Sequence, residues 1–225
     1  KKCRSFHEHN EDKVLFEIIN QIKNSKNVSI ISDAGTPAIS DPGYKLIREC
    51  SQQLIEYTLI PGPSSVISAA VMSGLPTDKF TFFGFVPKKL SDQEICFETI
   101  KNDNKTSIFF ESPKRLEKTI TNLIKVIGKT RRVSICKEMT KLHEQIFRGS
   151  ISEILEDIKK EKILLKGEIV IVIDGAQKNN INNYILDKNT KKEFLKKLSA
   201  SDAAKLISLI TGQNKRDVYK NLIEI

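Results

Sequence analysis

The chain has 225 residues, 39% hydrophobic and 29% charged, a length and balance that allow a globular protein with a substantial core. No apolar run approaches bilayer-spanning length and the opening KKCRSFHEHNEDK lacks the apolar core of a secretion signal. Four cysteines scattered singly (Cys3, Cys50, Cys96 and Cys136) fit reduced thiols in the cytoplasm better than a zinc site. The net charge of +9 favours an anionic partner, and ten basic against five acidic residues after Ala176 put +5 of it in the last 49 residues.

In chain order, the first expected element is a helix over 11–24, capped by Asn10, with Val14, Ile18 and Ile22 on one face. Val28–Ser32 reads as a short buried strand running into the loop SDAGTPAISDPG, Ser32–Gly43. Asp41 followed by Pro42 signals a helix start, because Asp caps and Pro loses nothing at the first helical position. Ile55–Ile60 reads as another strand, broken by Pro61–Ser65 before a small-residue helix over 64–73. After Gly74-Leu75-Pro76 the alternation resumes: strand Phe80–Phe85, helix Ser91–Lys101, strand Thr106–Glu111, helix Pro113–Ile127, strand Arg132–Glu138 and a short strand Gln145–Arg148. Ser150 and Glu153 spell a capping box for a helix over 151–160, and Glu168–Asp174 reads as a buried strand.

This alternation predicts an α/β fold with a parallel or mixed sheet. The expected divisions are an α/β subdomain over 1–78, a second over 79–176, and a linker with a basic helical region over 177–225. Short helices over 191–198, 201–211 and from 214, with Gly212 ending the second, form either a helix-turn-helix-like hairpin or a helical tail.

Three segments carry chemistry. The loop Ser32–Gly43 holds two glycines, two prolines and two carboxylates at the carboxyl end of an expected strand, where open α/β sheets bind ligands. It matches neither the dinucleotide fingerprint nor a Walker loop, which points to a small molecule other than a phosphate-anchored nucleotide; the competing reading is a tight connection in which Asp33 and Asp41 only cap. Ser64 and Ser65 present hydroxyls at a second loop of the same kind. The segments ESPKR (111–115) and KEMTKLHE (137–144) mix acids and bases at strand ends, as a catalytic rim or as solvated helix starts. His143 reads more readily as structural, and His7 with His9 lacks a third ligand, so no metal is assigned.

SDAGTPAISDPG, IPGPSSVISAAVMSGLPTDKFTFFGFVP, FFESPKRL, CKEMTKLHEQIFRGS and KGEIVIVI occur in that order. Together they resemble the ribosomal RNA small-subunit methyltransferase I family of the tetrapyrrole-methylase superfamily, from about Phe6 to the C-terminus. The resemblance implies two α/β subdomains with S-adenosylmethionine in the cleft between them, a small C-terminal helical region, and a homodimer. It implies methylation of the 2′-oxygen of a cytidine in 16S rRNA of the small ribosomal subunit. Family members usually open with a strand, a TPIGNL-like loop and an AEDTR-like motif; here the HEHNE that follows them comes first, so the first subdomain is expected to lack its opening strands.

Carried over by residue, Asp33, Ala34 and Gly35 match a cofactor-contacting loop that continues through Pro37 and Ser40. Ser64 and Ser65 match a second cofactor contact, and Phe110 ends a strand lining the cleft. A ribose hydroxyl is a weak acid, and Glu111, Lys114 and Glu138 are the candidates to remove or stabilise its proton. Arg115, Lys137, Lys141 and Arg148 suit RNA phosphates, extended in the tail by Lys196, Lys197, Lys215 and Arg216. Two other readings are a precorrin-type tetrapyrrole methyltransferase and an inactive RNA-binding remnant.

Overall fold

Ile169–Ile173 is an unbroken run of β-branched residues, IVIVI, which has no polar face to offer water and belongs in the middle of a sheet. The computed structural model, which describes residues 3–7, 9–32, 35–177, 188–211 and 213–223, places it there. Five strands, β1 (Phe80–Phe85), β2 (Thr106–Glu111), β3 (Arg132–Lys137), β4 (Gln145–Ser150) and β5 (Ile169–Ile173), form one sheet in the order β1-β2-β5-β3-β4. Only β1 and β2 run parallel; β5 pairs antiparallel with both β2 and β3, and β3 with β4.

Alternation along these strands separates two cores. Phe109, Ile135, Ile169, Ile171 and Ile173 join Phe97 of α4 (Leu90–Lys101), Leu116, Ile120 and Leu123 of α5 (Pro113–Ile127), and Ile151, Ile154 and Ile158 of α6 (Ile151–Lys159). Ile108, Cys136, Val170 and Val172 face the other way, onto Val66, Ala69 and Ala70 of α3 (Ser65–Ser73). The small residues of α3 let that helix lie close on the sheet. The capping box at Ser150 and Glu153 forms, with the Glu153 amide donating to Ser150 Oγ (3.3 Å) and the Ser150 amide to Glu153 Oε2 (2.7 Å).

Two expected strands do not form. Residues 28–32 and 55–60 are extended but join no ladder among the described residues. Ile30 and Ile55 pack on Ile19 of α1 (Glu11–Lys23) and on Leu46 and Cys50 of α2 (Tyr44–Gln52), while Ile31 and Ile60 stand 83% and 86% exposed. An apolar pattern reports which side of a segment is buried; it does not supply the hydrogen-bonding neighbour that makes a strand. Two caps also differ from expectation. The Asn10 side chain accepts from the His7 amide (2.8 Å) instead of capping α1. Helix α2 starts at Tyr44 with Gly43 as its N-cap, two residues later than the Asp41–Pro42 signal predicts, and the Gly43 amide donates to the buried Glu11 carboxylate of α1 at 3.1 Å.

The chain divides into two compact units, Lys1–Gly175 and Ala176–Ile225. The second holds α7 (Lys188–Lys197), α8 (Ala200–Thr211) and α9 (Lys215–Ile223), joined by a core of Ala203, Ala204, Ile207, Val218 and Leu222. Most of the expected linker (178–187) and Gly212 lie outside the described residues.

The first core turns on Phe109, fully buried, stacked on Phe83 at 4.8 Å and edge-on to Phe97 at 6.2 Å. Phe109→Ala is expected to cost about 3–5 kcal/mol, read as a lowered midpoint in denaturant unfolding.

Candidate active site

The two loops that sequence marks as ligand-binding meet in the structure. A methyl group at Gly35 would lie 3.5 Å from the Pro63 carbonyl oxygen, so the loop 35–43 rests against the loop 61–65. The first loop is held at both ends, by the Ser32 hydroxyl donating to the Gly35 carbonyl (3.1 Å) and by the Gly43–Glu11 bond. Within it Ala38 and Ser40 adopt φ of 68° and 60°. Such conformations cost side-chain-bearing residues roughly 1–3 kcal/mol each, and surrounding contacts must offset that to keep one loop shape. Asp33 and Ala34 lie outside the described residues. In the second loop Ser64 caps α3 by accepting from the Ile67 amide (3.4 Å), which leaves its hydroxyl proton to donate elsewhere.

A third component was not anticipated. Between Phe82 and Phe85, β1 advances three residues against two on β2, a bulge centred on Gly84 at φ +71°. A methyl at Gly84 would lie 3.7 Å from Ser40 Oγ, so the bulge carries the edge of the sheet up to the first loop. Beside it Phe110 is half-buried between two edge-on rings, Phe82 at 4.9 Å and Phe85 at 5.4 Å. The glycine inside FTFFGF was the available signal, since an isolated glycine in a strand marks a bulge or a close approach. Gly35, Pro37, Ser40, Ser64, Ser65 and Phe110 thus belong to three neighbouring pieces of backbone around that bulge.

The titratable candidates are distributed differently. Glu111 is buried, its carboxylate accepting from the Thr119 hydroxyl (2.6 Å) and the Ser112 amide (2.7 Å) with the Arg115 guanidinium 3.4 Å away. That is an anchor for the start of α5. Lys114, next to it in the chain, is exposed and makes no ion pair among the described residues. Glu138 sits just past β3 with φ +52°, its carboxylate accepting from the Glu168 amide (2.7 Å) and facing Lys141 at 3.4 Å. The Glu168 amide bond chiefly, with Lys141 and Lys137 adding, holds its pKa below the ordinary glutamate value.

A match to the family described as Tetrapyrrole (Corrin/Porphyrin) Methylases covers residues 1–155. The chain is 44% identical over 177 residues to the ribosomal RNA small subunit methyltransferase I of Thermotoga maritima, covering 79% of this chain and 78% of that protein. It belongs to the ribosomal RNA small subunit methyltransferase I family. The family member of Escherichia coli O157:H7 is 33% identical over 222 residues, 98% of this chain and 77% of its own. Solved structures share the fold: a diphthine synthase (TM-score 0.55, 14% identity, 75% of this chain and 68% of that one) and a uroporphyrin-III C-methyltransferase of Thermus thermophilus (TM-score 0.51, 13% identity, 73% and 71%).

Within this methyltransferase I family member, three of the basic residues expected to face RNA, Arg115, Lys141 and Arg148, bond to carbonyls or carboxylates of the protein itself, although Lys141 and Arg148 remain exposed. Arg115 donates to the carbonyls of Val86 (2.8 Å) and Pro87 (2.6 Å). Lys137 is buried at the end of β3. Lys141 spans Glu138 and Glu168, the latter at 3.0 Å. Arg148 donates to the Met72 and Ser73 carbonyls, satisfying the last turn of α3. Spacing in sequence identifies these residues as cationic but cannot show that carbonyls and carboxylates of the fold bond to Arg115, Lys141 and Arg148. In the second unit Lys196 pairs with Glu193 at 2.6 Å, while Lys197, Lys215 and Arg216 are exposed.

The Glu138 latch has a mechanical test. Gly167 has φ +81°, and a methyl there would fall 2.5 Å from Glu138 Oε1. Gly167→Ala is expected to push Glu138 off the Glu168 amide and to cost about 1–3 kcal/mol in chemical unfolding. Because the folded pKa of Glu138 is lowered, the latch's contribution is present above the unfolded pKa and is lost as pH falls through the folded one. The Glu138 carboxyl, followed by NMR, should titrate below the ordinary glutamate range in the parent and return toward it in Gly167→Ala.

Proposed function

We propose that this protein transfers a methyl group from S-adenosylmethionine to the ribose 2′-hydroxyl of a cytidine in 16S rRNA of the small ribosomal subunit. The observation that carries the reading is the 33–44% identity to ribosomal RNA small subunit methyltransferase I over 79–98% of the chain. It also favours an RNA substrate over a tetrapyrrole, since the uroporphyrin-III C-methyltransferase of Thermus thermophilus is 13% identical.

The residues present suit the cofactor. Gly35 and Gly84 let the loop 61–65 and the bulge approach the first loop closely, and Ser40, Ser64 and Ser65 offer hydroxyls to polar groups. Phe110, half-buried at the end of β2, offers its ring to a flat base. Asp33, Ala34 and Pro37 join this set in the proposal. When bound, S-adenosylmethionine supplies an electrophilic methyl carbon. The protein's own contribution is then to hold the ribose oxygen in line with that carbon and to keep the loops from rearranging. With Glu111 and Glu138 engaged internally, Lys114 is the group assigned to the 2′-oxygen, its ammonium stabilising the oxygen as its proton leaves to solvent. Lys197, Lys215 and Arg216 extend the phosphate contacts. The same reading places the protein in the cytoplasm, as a homodimer with the exposed Ile67 and Val71 of α3 available to a second copy; no helix among the described residues is long and apolar enough to cross a membrane.

The test is transfer of labelled methyl from S-adenosylmethionine to small ribosomal subunits that lack the modification. Label on the 2′-oxygen of a 16S rRNA cytidine is expected; label in a tetrapyrrole, or RNA binding without transfer, would replace this reading by one of the alternatives. Gly84→Leu, which fills the space before Ser40, should weaken S-adenosylmethionine binding at least about tenfold by calorimetry, equivalent to about 1.4 kcal/mol.

A further inference from the structure

We infer that Lys88 and Lys89, together with exposed Phe85, form a contact site for the sugar–phosphate backbone and one base of the RNA substrate, beside the candidate cofactor loops. The inference rests on the proposed RNA substrate and adds where the protein touches it. Lys88 and Lys89 are exposed and make no ion pair among the described residues, in contrast to Arg115, Lys141 and Arg148, which the fold uses internally.

The segment carrying them is rigid. The Val86 amide donates to the Phe110 carbonyl (3.0 Å), Arg115 donates to both the Val86 and Pro87 carbonyls, and Gln93 Nε2 donates to Pro87 as well (2.9 Å). Val86 itself is 1% exposed. Four hydrogen bonds and a buried side chain thus fix the turn from which two unpaired ammonium groups project. Arg115 is a positioning residue for this turn, and its own charge is spent on carbonyls.

Helix energetics do not account for the lysines. Lys89 is the N-cap of α4, a position that favours Ser, Thr, Asp or Asn, and the positive end of the helix dipole disfavours a cation there. Its placement is locally costly, which fits selection for an outside partner. That partner is polyanionic, and the adjoining ring says more. Phe85 is 58% exposed at the end of β1, immediately past the bulge, in a T-shaped contact with Phe110. Paired cations beside an open aromatic face are the arrangement that binds unpaired nucleotides, phosphates on the lysines and a base on the ring. The bulge residue Gly84 touches the first loop at Ser40, so a strand held here passes the edge of the cofactor site.

The experiment is equilibrium binding of unmodified small ribosomal subunits to the wild type, K88A/K89A, K88R/K89R and F85A across roughly 50–200 mM salt. K88A/K89A is expected to bind about tenfold or more weakly at low salt, with the slope of log K against log salt reduced by about 1 to 2. K88R/K89R should restore both, and F85A should weaken binding about tenfold with the slope unchanged. S-adenosylmethionine affinity, by calorimetry, should match the wild type in K88A/K89A, which separates the effect from misfolding. Wild-type affinity and slope in K88A/K89A overturn the site, as does a wild type that does not bind the subunit. A wild type that binds through these lysines but transfers no methyl instead overturns the proposed reaction and leaves the site standing.

Discussion

The pairing of β5 between β2 and β3 is the constraint from which the first unit follows. Five consecutive aliphatic residues with no polar face must be covered above and below, and antiparallel partners on both edges satisfy every peptide group between them. Once β5 is central, Ile169, Ile171 and Ile173 select the helices on one side and Val170 and Val172 admit only the small-residue face of α3 on the other. The position of α3 then fixes the loop 61–65 that precedes it, and that loop supports Gly35. A ligand-binding arrangement more than a hundred residues upstream is in this sense a consequence of how IVIVI is buried.

Charged side chains complete the arrangement by acting on backbone rather than on one another. Glu11 reaches the amide of Gly43, Arg148 the last carbonyls of α3, Arg115 the turn after β1, and Glu138 the amide of Glu168. Each is a charge-assisted bond across elements distant in sequence, stronger than a neutral one and directional enough to set a loop. Residues that look like a catalytic or RNA-binding set in the sequence thus also fasten the fold. This makes the remaining unpaired cations informative.

What could be read from sequence divides along the range of the interactions involved. Within the first unit from Phe80 onward the elements match expectation nearly to the residue, because β2, α5 and the capping box at Ser150 are encoded by neighbours in the chain. Residues 28–32 and 55–60 carry a strand's apolar pattern, yet whether a ladder forms depends on a partner that no local pattern names. The glycine and serine loops stand out in the sequence because Gly, Pro and Ser announce themselves locally, and the structure brings the two loops together. The roles of Glu111, Arg115 and Lys137 were not, because burial and carbonyl partners are supplied from 8 to 29 residues away or by the sheet as a whole.

The Glu11–Gly43 bond has a consequence for motion. The lobe formed by α1 and α2 has a small buried apolar cluster, Ile19, Leu46 and Cys50, far smaller than the cores on either side of the sheet. Its hold on the first loop includes the Glu11–Gly43 carboxylate–amide bond, and Lys45 contacts Asp12 and Glu11 between the two helices. Opening such a lobe exposes little surface and takes less free energy than opening the sheet. Amide exchange in α1 and α2 should accordingly proceed through partial openings that leave β5 protected, and ionic strength, which weakens those contacts, sets how often the first loop is released from its frame.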